Sequence, residues 1–128
     1  MACRGIRGAT TAETNTKDAI LASTTELLQK LIAANSLKPE DVACAFFTTT
    51  RDLNAEFPAV AARQMGWGEV ALLCGHEMDV PDGMKGVVRI MLLVNTEKTA
   101  DQMAHVYLKE ARKLRLRGVG SDGAKGQA

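Results

Sequence analysis

The sequence predicts an α/β or α+β domain built on a mainly buried β-sheet. Short apolar segments alternate along the chain with patterns typical of amphipathic helices. Two of these segments, VACAFF at 42–47 and GVVRIMLLV at 86–94, show little polar alternation, which is typical of strands covered on both faces. The chain has 128 residues, of which 46% are hydrophobic, and this is enough for one domain with its own core.

The first part of the chain predicts a strand, a long helix and a second strand. CRGIRGATT at 3–11 is a short strand flanked by turns, and VACAFFTTT at 42–50 is rich in aromatic and β-branched residues. Between them, residues 15–35 form a helix with a single apolar stripe of Ile20, Thr24, Leu27, Leu28, Leu31 and Ile32. Asn15 or Thr16 is expected to cap its start, and Asn35 to take the left-handed conformation at its end.

The second part predicts a short helix, two strands and a final helix. FPAVAARQMG carries Pro58 in the first helical turn and Gly66 at the C-terminal end, and EVALLC at 69–74 is a buried strand. A turn-rich loop, GHEMDVPDGMKG, leads to the strand GVVRIMLLVN at 86–95. Thr99 and Gln102 form a capping box, and periodicity extends the helix that follows to about Arg112. The tail at 118–128 has almost no apolar content and is expected to be flexible.

The composition argues against several classes of protein. A formal net charge of +1 leaves no overall basic field of the kind that binds nucleic acid. No apolar run reaches about 18 residues, so no segment is expected to span a membrane. The start of the chain, MACRGIRGATT, lacks the apolar region of a signal peptide. Three cysteines without CxxC spacing argue against a disulfide framework and a zinc site, and favour a reducing cytoplasm.

Arg89 stands inside the apolar strand GVVRIMLLVN, where a charged side chain needs an explanation. Other arginines lie at strand ends, on the short helix and near the C-terminus, whereas Glu77 is the one carboxylate just past a buried strand. The chain offers no Ser-His-Asp arrangement and no glycine-rich phosphate loop, and His76 and His105 are too scattered to predict a metal site. A site rich in arginine and poor in general bases suits a small dianionic ligand, because guanidinium groups pair with carboxylates.

Four motifs resemble, in order and spacing, the small monofunctional chorismate mutases of the trimeric α/β-barrel type. They are RGIRGATT, TRDLNAEFPAVAARQMGW, EMDVPDGMKGVVRIMLLVNT and HVYLKEARKLR, within residues 3–115. The resemblance implies an α+β fold, a mixed sheet with helices on its outer face, and a homotrimer whose three sheets pack into a pseudo α/β-barrel. It implies a catalytic domain at 1–117, before the tail at 118–128, and a short strand at KEARKLR after a brief helix. The reaction would convert the chorismate dianion to prephenate, toward phenylalanine and tyrosine, with no cofactor and no metal.

The same resemblance implies a role for individual residues. Arg7 and Tyr107 would hold the enolpyruvyl carboxylate, Cys74 and Glu77 would contact the ring hydroxyl, and Arg89 would reach the ether oxygen. Further substrate contacts are expected from Phe57, Arg63, Leu73, Leu114 and Arg115. Of these, Phe57 and Arg63 would come from the adjacent subunit, and Leu114 and Arg115 would lie near the mouth of the cleft.

These implications agree with the residue inventory. The rearrangement is intramolecular and pericyclic, so it needs a folded substrate conformer and compensation of charge on the ether oxygen, but no nucleophile or base. Two other functions stay open: an imine deaminase of the trimeric Rid type, and a non-catalytic trimer that binds a metabolite. Arg89 could also be a structural arginine paired with a buried acid.

Overall fold

The computed structural model describes residues 1–115, which form a five-stranded mixed β-sheet packed against helices. The strands are β1 (Ala2–Thr11), β2 (Val42–Thr49), β3 (Ala71–His76), β4 (Val87–Thr96) and β5 (Val106–Tyr107). Their order across the sheet is β3-β2-β4-β1-β5. The central strand β4 is antiparallel to both neighbours, whereas the outer pairs β2–β3 and β1–β5 are parallel. The predicted mixed α+β architecture is confirmed within this chain.

Two helices, α1 (Lys17–Asn35) and α2 (Ala59–Gln64), cover one face of the sheet. Their apolar side chains share a single core cluster with alternate residues of β2 and β4 and with Trp67, which is 2% exposed. Helix α1 approaches β1 closely at Gly8, where an added Cβ would lie 2.9 Å from a Leu31 methyl group and 3.1 Å from one of Leu27. The sheet and α1 can therefore meet at this separation only because residue 8 has no side chain.

Within one chain, the helix side of the sheet is buried, whereas much of the other side is exposed. In β2, Ala45 and Phe47 are buried whereas Phe46 between them is 39% exposed, and in β4 Met91 is 37% exposed between two buried residues. Cross-strand pairing places Arg7, Met91, Phe46 and Leu73 in one row. We call this side of the sheet the open face, and define it by the side chains of Arg7, Phe46, Thr48, Leu73, Arg89 and Met91. The predicted covering of both faces is thus not achieved by the single chain.

Helix α1 ends differently from the prediction. Thr16 caps its start, because its hydroxyl accepts a hydrogen bond from the Ala19 N–H at 3.1 Å. At the other end, Ser36 and not Asn35 takes the left-handed conformation, with φ 52°. Asn35 remains helical and buried because its side chain binds both the N–H and the C=O of Ala104, at 2.8 and 2.9 Å.

The predicted final helix is wrong. Residues 100–102 and 109–115 are separate 3-10 turns, Ala100–Gln102 and Lys109–Arg115, with β5 between them. The capping box of Thr99 and Gln102 is present, but the chain leaves the turn because the Ala104 backbone bonds to Asn35 and Val106–Tyr107 pairs with β1. Lys109 then has φ 54°, which an α-helix does not allow. The prediction of a short strand at KEARKLR (109–115) is also wrong, because these residues form a 3-10 turn and the strand β5 lies before them, at Val106–Tyr107.

Several predictions fall at or beyond the described residues. The side chain of Arg115 and residues 116–128, which include the tail at 118–128, lie outside them. Within residues 1–115, no helix is long and apolar enough to cross a membrane. Cys3, Cys44 and Cys74 are all free thiols.

Candidate active site

Arg89 lies on the open face in the central strand of the sheet. Its cross-strand partners are Ala9 on β1 and Thr48 on β2. The Arg89 side chain is 40% exposed, and its Nη1 lies 3.4 Å from Oε1 of Glu77, which is 25% exposed. The pair therefore lies in an open cleft. This arrangement differs from that of a structural arginine paired with a buried acid.

Glu77 is held at the end of β3 by contacts to two strands. Its backbone N–H donates to the Thr49 carbonyl at 2.8 Å, which extends the β2–β3 ladder by one residue. Its carboxylate accepts a hydrogen bond from the Thr48 hydroxyl through Oε2 and faces Arg89 through Oε1. The sequence did not single out Thr48, although alternation along β2 places it on the same face as Phe46.

A cleft of about 270 Å³ contains these side chains. Its lining consists of Arg7, Gly8, Phe46, Thr48, Glu77, Arg89, Ile90 and Met91. Two guanidinium groups and one carboxylate leave the cleft with one formal positive charge, and Thr48 and mainly apolar residues form the rest of the wall. Such a surface binds a small anion and orients it through charged hydrogen bonds.

Tyr107 and Leu114 lie beside this cleft, beyond β1. Tyr107 is 7% exposed and packs with Ala9 and Ala111, and Leu114 packs against the same cluster. Because Ala9 pairs with both Tyr107 and Arg89, the three residues lie in one row on one side of the sheet. The turn at 109–115 therefore covers the part of the sheet next to the Arg89 cleft.

A second and larger cleft, of about 360 Å³, contains two other predicted site residues, Phe57 and Cys74. It is lined by Thr49, Leu53, Asn54, Ala55, Glu56, Phe57, Pro58, Cys74, Gly75 and His76, with no arginine among them. Phe57 is 67% exposed at its edge. Leu73 precedes Cys74 and points to the open face, where it is 61% exposed.

A set of polar contacts fixes the loop at 54–57 and so holds Phe57 at the edge of the second cleft. Oδ1 of Asn15 accepts hydrogen bonds from the N–H groups of Asn54 and Ala55 at 2.9 and 3.0 Å, and Nδ2 of Asn15 donates to Asn54 Oδ1 at 2.9 Å. Glu56 accepts from the Phe57 N–H at 3.0 Å and pairs with Lys17 at 3.6 Å. The sequence suggested Asn15 only as a helix cap, because its partners are distant along the chain.

The environment of Cys74 keeps its thiol protonated at neutral pH. Burial raises the pKa of the Cys74 thiol above the ordinary value of a cysteine, and this effect outweighs a backbone hydrogen bond from Ala59 and the charge of Arg63, which both lower it. Arg63 is therefore near Cys74, although its own side chain is exposed on α2. A thiol with a raised pKa is a poor nucleophile.

The two histidines lie apart. Nδ1 of His105 accepts a hydrogen bond from the Arg7 N–H at 3.0 Å, next to β1. His76 lines the second cleft, where its Nδ1 is 3.3 Å from the Thr49 hydroxyl. His105 thus helps to pair the chain with β1 beside the Arg89 cleft.

The predicted site residues therefore fall into two groups in one chain. Arg7, Glu77 and Arg89 meet in the first cleft, with Tyr107 and Leu114 alongside. Phe57 and Cys74 lie in the second cleft, whereas Arg63 lies on α2, outside its lining but close enough for its charge to act on Cys74.

Comparison with known proteins identifies the family. The model of the family "Chorismate mutase type I" matches residues 3–117. Chorismate mutase AroH of Bacillus subtilis (strain 168) is 47% identical over 116 residues, which cover 90% of this chain and 91% of that protein. Chorismate mutase AroH of Thermus thermophilus is 47% identical over 113 residues, covering 88% and 93% of the two chains. A solved structure of a chorismate mutase from Clostridium thermocellum superimposes with a TM-score of 0.83 at 46% identity, covering 84% of this chain and 96% of that one.

These matches run through nearly the whole described sheet and include both clefts. They confirm the resemblance that the four sequence motifs carried. The chain belongs to the chorismate mutases of type I.

Proposed function

We propose that the chain binds chorismate in the Arg89 cleft and converts it to prephenate there, in a site that a neighbouring copy of the chain completes. Family membership supports the activity. The observation that carries the location is the position of Arg89. Its guanidinium is fixed on the central strand, is 40% exposed, and shares one cleft with Arg7 and Glu77.

Arg89 would stabilise the transition state through its charge. In the rearrangement, the ether C–O bond breaks while a C–C bond forms within the same molecule, and negative charge grows on the ether oxygen. A preorganised cation beside that oxygen stabilises the transition state more than the ground state. Placement on a central strand suits this role, because the donor need not reorganise as the charge develops.

The other proposed site residues would select the folded substrate conformer. Arg7 and Tyr107 would bind the enolpyruvyl carboxylate, and the Glu77 carboxylate would accept a hydrogen bond from the ring hydroxyl. Cys74 would contact that hydroxyl through its backbone, since burial raises the pKa of its thiol and leaves it protonated. Holding the reacting carbons together in this way removes much of the entropic barrier.

A homotrimer would bring the two clefts together. The open face leaves Phe46, Leu73 and Met91, on three adjacent strands, at 39%, 61% and 37% exposure, and such an exposed apolar patch is typical of an interaction surface. Three such faces packed into a pseudo α/β-barrel would bury it and keep α1 and α2 outside. The second cleft would then supply Phe57 and Arg63 to the Arg89 cleft of a neighbour, with Leu73, Leu114 and Arg115 at its edge.

An assay of chorismate absorbance tests this proposal. Loss of chorismate with formation of prephenate is the expected result, and it should be abolished by Arg89→Ala. Release of ammonia from imino acids with no loss of chorismate would identify an imine deaminase instead. Binding of chorismate without turnover would identify a metabolite-binding trimer.

A further inference from the structure

The Glu77 carboxylate contacts two side chains, Thr48 and Arg89, through different oxygens. The Thr48 hydroxyl donates to Oε2, and Arg89 Nη1 faces Oε1 at 3.4 Å. Guanidinium and carboxylate groups in unrestrained contact lie about 2.7–2.9 Å apart and often form two parallel hydrogen bonds. The Glu77–Arg89 pair is therefore longer than such a contact.

The backbone explains why Thr48 and Arg89 reach the same carboxylate. They are cross-strand partners on β2 and β4, so their side chains stand next to each other on the open face. The Glu77 backbone is fixed to the following residue of β2, with its N–H 2.8 Å from the Thr49 carbonyl. Because the backbone is fixed, only the side-chain rotamer of Glu77 determines how closely its carboxylate approaches the Thr48 hydroxyl and the Arg89 guanidinium.

We propose that Thr48 is a positioning residue that holds the Glu77 carboxylate back from Arg89. The hydroxyl occupies Oε2, so Glu77 cannot turn both oxygens to the guanidinium. The charge of Arg89 is then only partly neutralised by Glu77, and its remaining N–H donors can bind the substrate. This inference rests on the proposed function, because it assigns Arg89 and Glu77 to chorismate.

Loss of the hydroxyl has a defined structural consequence. With no donor at residue 48, Glu77 closes on Arg89 as a two-oxygen pair and neutralises the charge that faces the cleft. The ether oxygen then meets a weaker field, so kcat falls. Thr48→Ser retains the hydroxyl and preserves the restraint.

The experiment compares Thr48→Val with Thr48→Ser and with Thr10→Val as a matched control. Thr10→Val makes the same exchange on β1, two strands away from β2, at a fully buried side chain on the helix side, where its cross-strand partner Val88 packs against Ile20. We expect Thr48→Val to lower kcat by about 10- to 100-fold, the loss typical of one hydrogen bond to a charged group. Thr48→Ser and Thr10→Val should retain kcat close to that of the unaltered protein.

A double-mutant cycle separates positioning from a merely structural role. If Thr48 acts through Glu77, Thr48→Val lowers kcat in the unaltered protein and has no further effect in Glu77→Ala. Losses that multiply in the double variant would overturn the proposal. Thr48→Ala replaces Thr48→Val in the same cycle if valine prevents folding.

A crystal structure of the Thr48→Val protein provides a readout that does not depend on turnover. The expected result is a Glu77–Arg89 contact below about 3 Å. An unchanged separation would overturn the proposal even if kcat fell. If the unaltered protein fails to convert chorismate, the proposed function fails, whereas the crystal structure still tests whether Thr48 restrains Glu77.

Discussion

Tyr107 and Arg89 lie on the same side of the sheet because both are cross-strand partners of Ala9. The two residues are 18 positions apart in the chain, and Ala9 lies far from both in sequence. Adjacent strands are separated by about 4.8 Å, so two strand spacings bring Tyr107 and Arg89 within roughly 10 Å. A small dianion can therefore contact both residues at once.

Substitution of Arg89 tests the charge requirement. Removal of one preorganised donor costs about 2.7–4 kcal/mol, or roughly 10²–10³ in kcat, and Arg89→Ala should cost at least this much because a charge is lost as well. Arg89→Lys should also lower kcat strongly, because an ammonium on a flexible stem does not reproduce a planar fork. Stopped-flow or steady-state absorbance of chorismate measures both.

Citrulline at position 89 separates charge from shape. It keeps the shape of arginine and most of its N–H donors but is neutral. We expect it to bind substrate with similar KM and to lower kcat by orders of magnitude. Near-native kcat would show that conformer selection alone explains the rate, and that the charge of Arg89 is not required.

The pH dependence of kcat tests for acid–base chemistry. Guanidinium groups stay charged across the working range, so kcat should be nearly flat from about pH 6 to 9. His76→Gln and His105→Gln should leave the shape of that profile unchanged. A bell-shaped profile with a limb that disappears in one histidine variant would instead indicate a general acid or base.

The thiol of Cys74 should make stability depend on alkaline pH. Burial raises its pKa in the folded state above the ordinary value of a cysteine, so the folded protein holds the proton more tightly than the unfolded chain. This stabilisation is fully present below the pKa of the thiol in the unfolded chain and is lost as the pH rises through the higher pKa of the folded protein. Chemical denaturation at fixed protein concentration should show a steeper alkaline loss for the unaltered protein than for Cys74→Ser, whereas Cys3→Ser should match the unaltered protein. Equal slopes in all three would contradict the prediction.

Two buried threonines should respond in opposite ways to the same substitution. Thr10 is fully buried and its hydroxyl has no hydrogen-bond partner within residues 1–115, whereas Thr49, at 3% exposure, donates to the Leu53 carbonyl at 3.0 Å. Thr10→Val should raise the free energy of unfolding by about 1 kcal/mol, and Thr49→Val should lower it by about the same amount. Urea denaturation measures both, and a loss of stability in Thr10→Val would show that its hydroxyl has a stabilising partner.

Mixing two inactive variants tests whether sites form between chains. Arg89→Ala alters the first cleft and Arg63→Ala removes a charge close to Cys74 of the second, so each variant alone should have low activity. After the two are unfolded together and refolded, about one quarter of the shared sites should regain both native halves. No recovery of activity would place both clefts in the same site of one chain, and sedimentation of the unaltered protein as a monomer at micromolar concentration would exclude the trimer as well.

Local pattern was enough to predict most of the elements. The apolar stripe of α1, Pro58 and Gly66 around α2, and the β-branched runs of β2 and β4 reflect preferences that operate over a few residues. Residues 99–115 were mispredicted because Asn35 and Gly8 determine their path from distant positions. A capping box starts one turn there, but pairing with β1 outweighs the helical period.

The sequence by itself determined the type of chemistry: arginines, one nearby carboxylate and no nucleophile, in motifs whose order matches a family. Only the tertiary structure decided which of these residues meet. Arg89, Thr48 and Ala9 share a row because strand register sets which side chains are neighbours, and register is a relation between segments that no local pattern contains. The same relation separates Phe57 and Cys74 into a second cleft and leaves Thr48 beside Glu77.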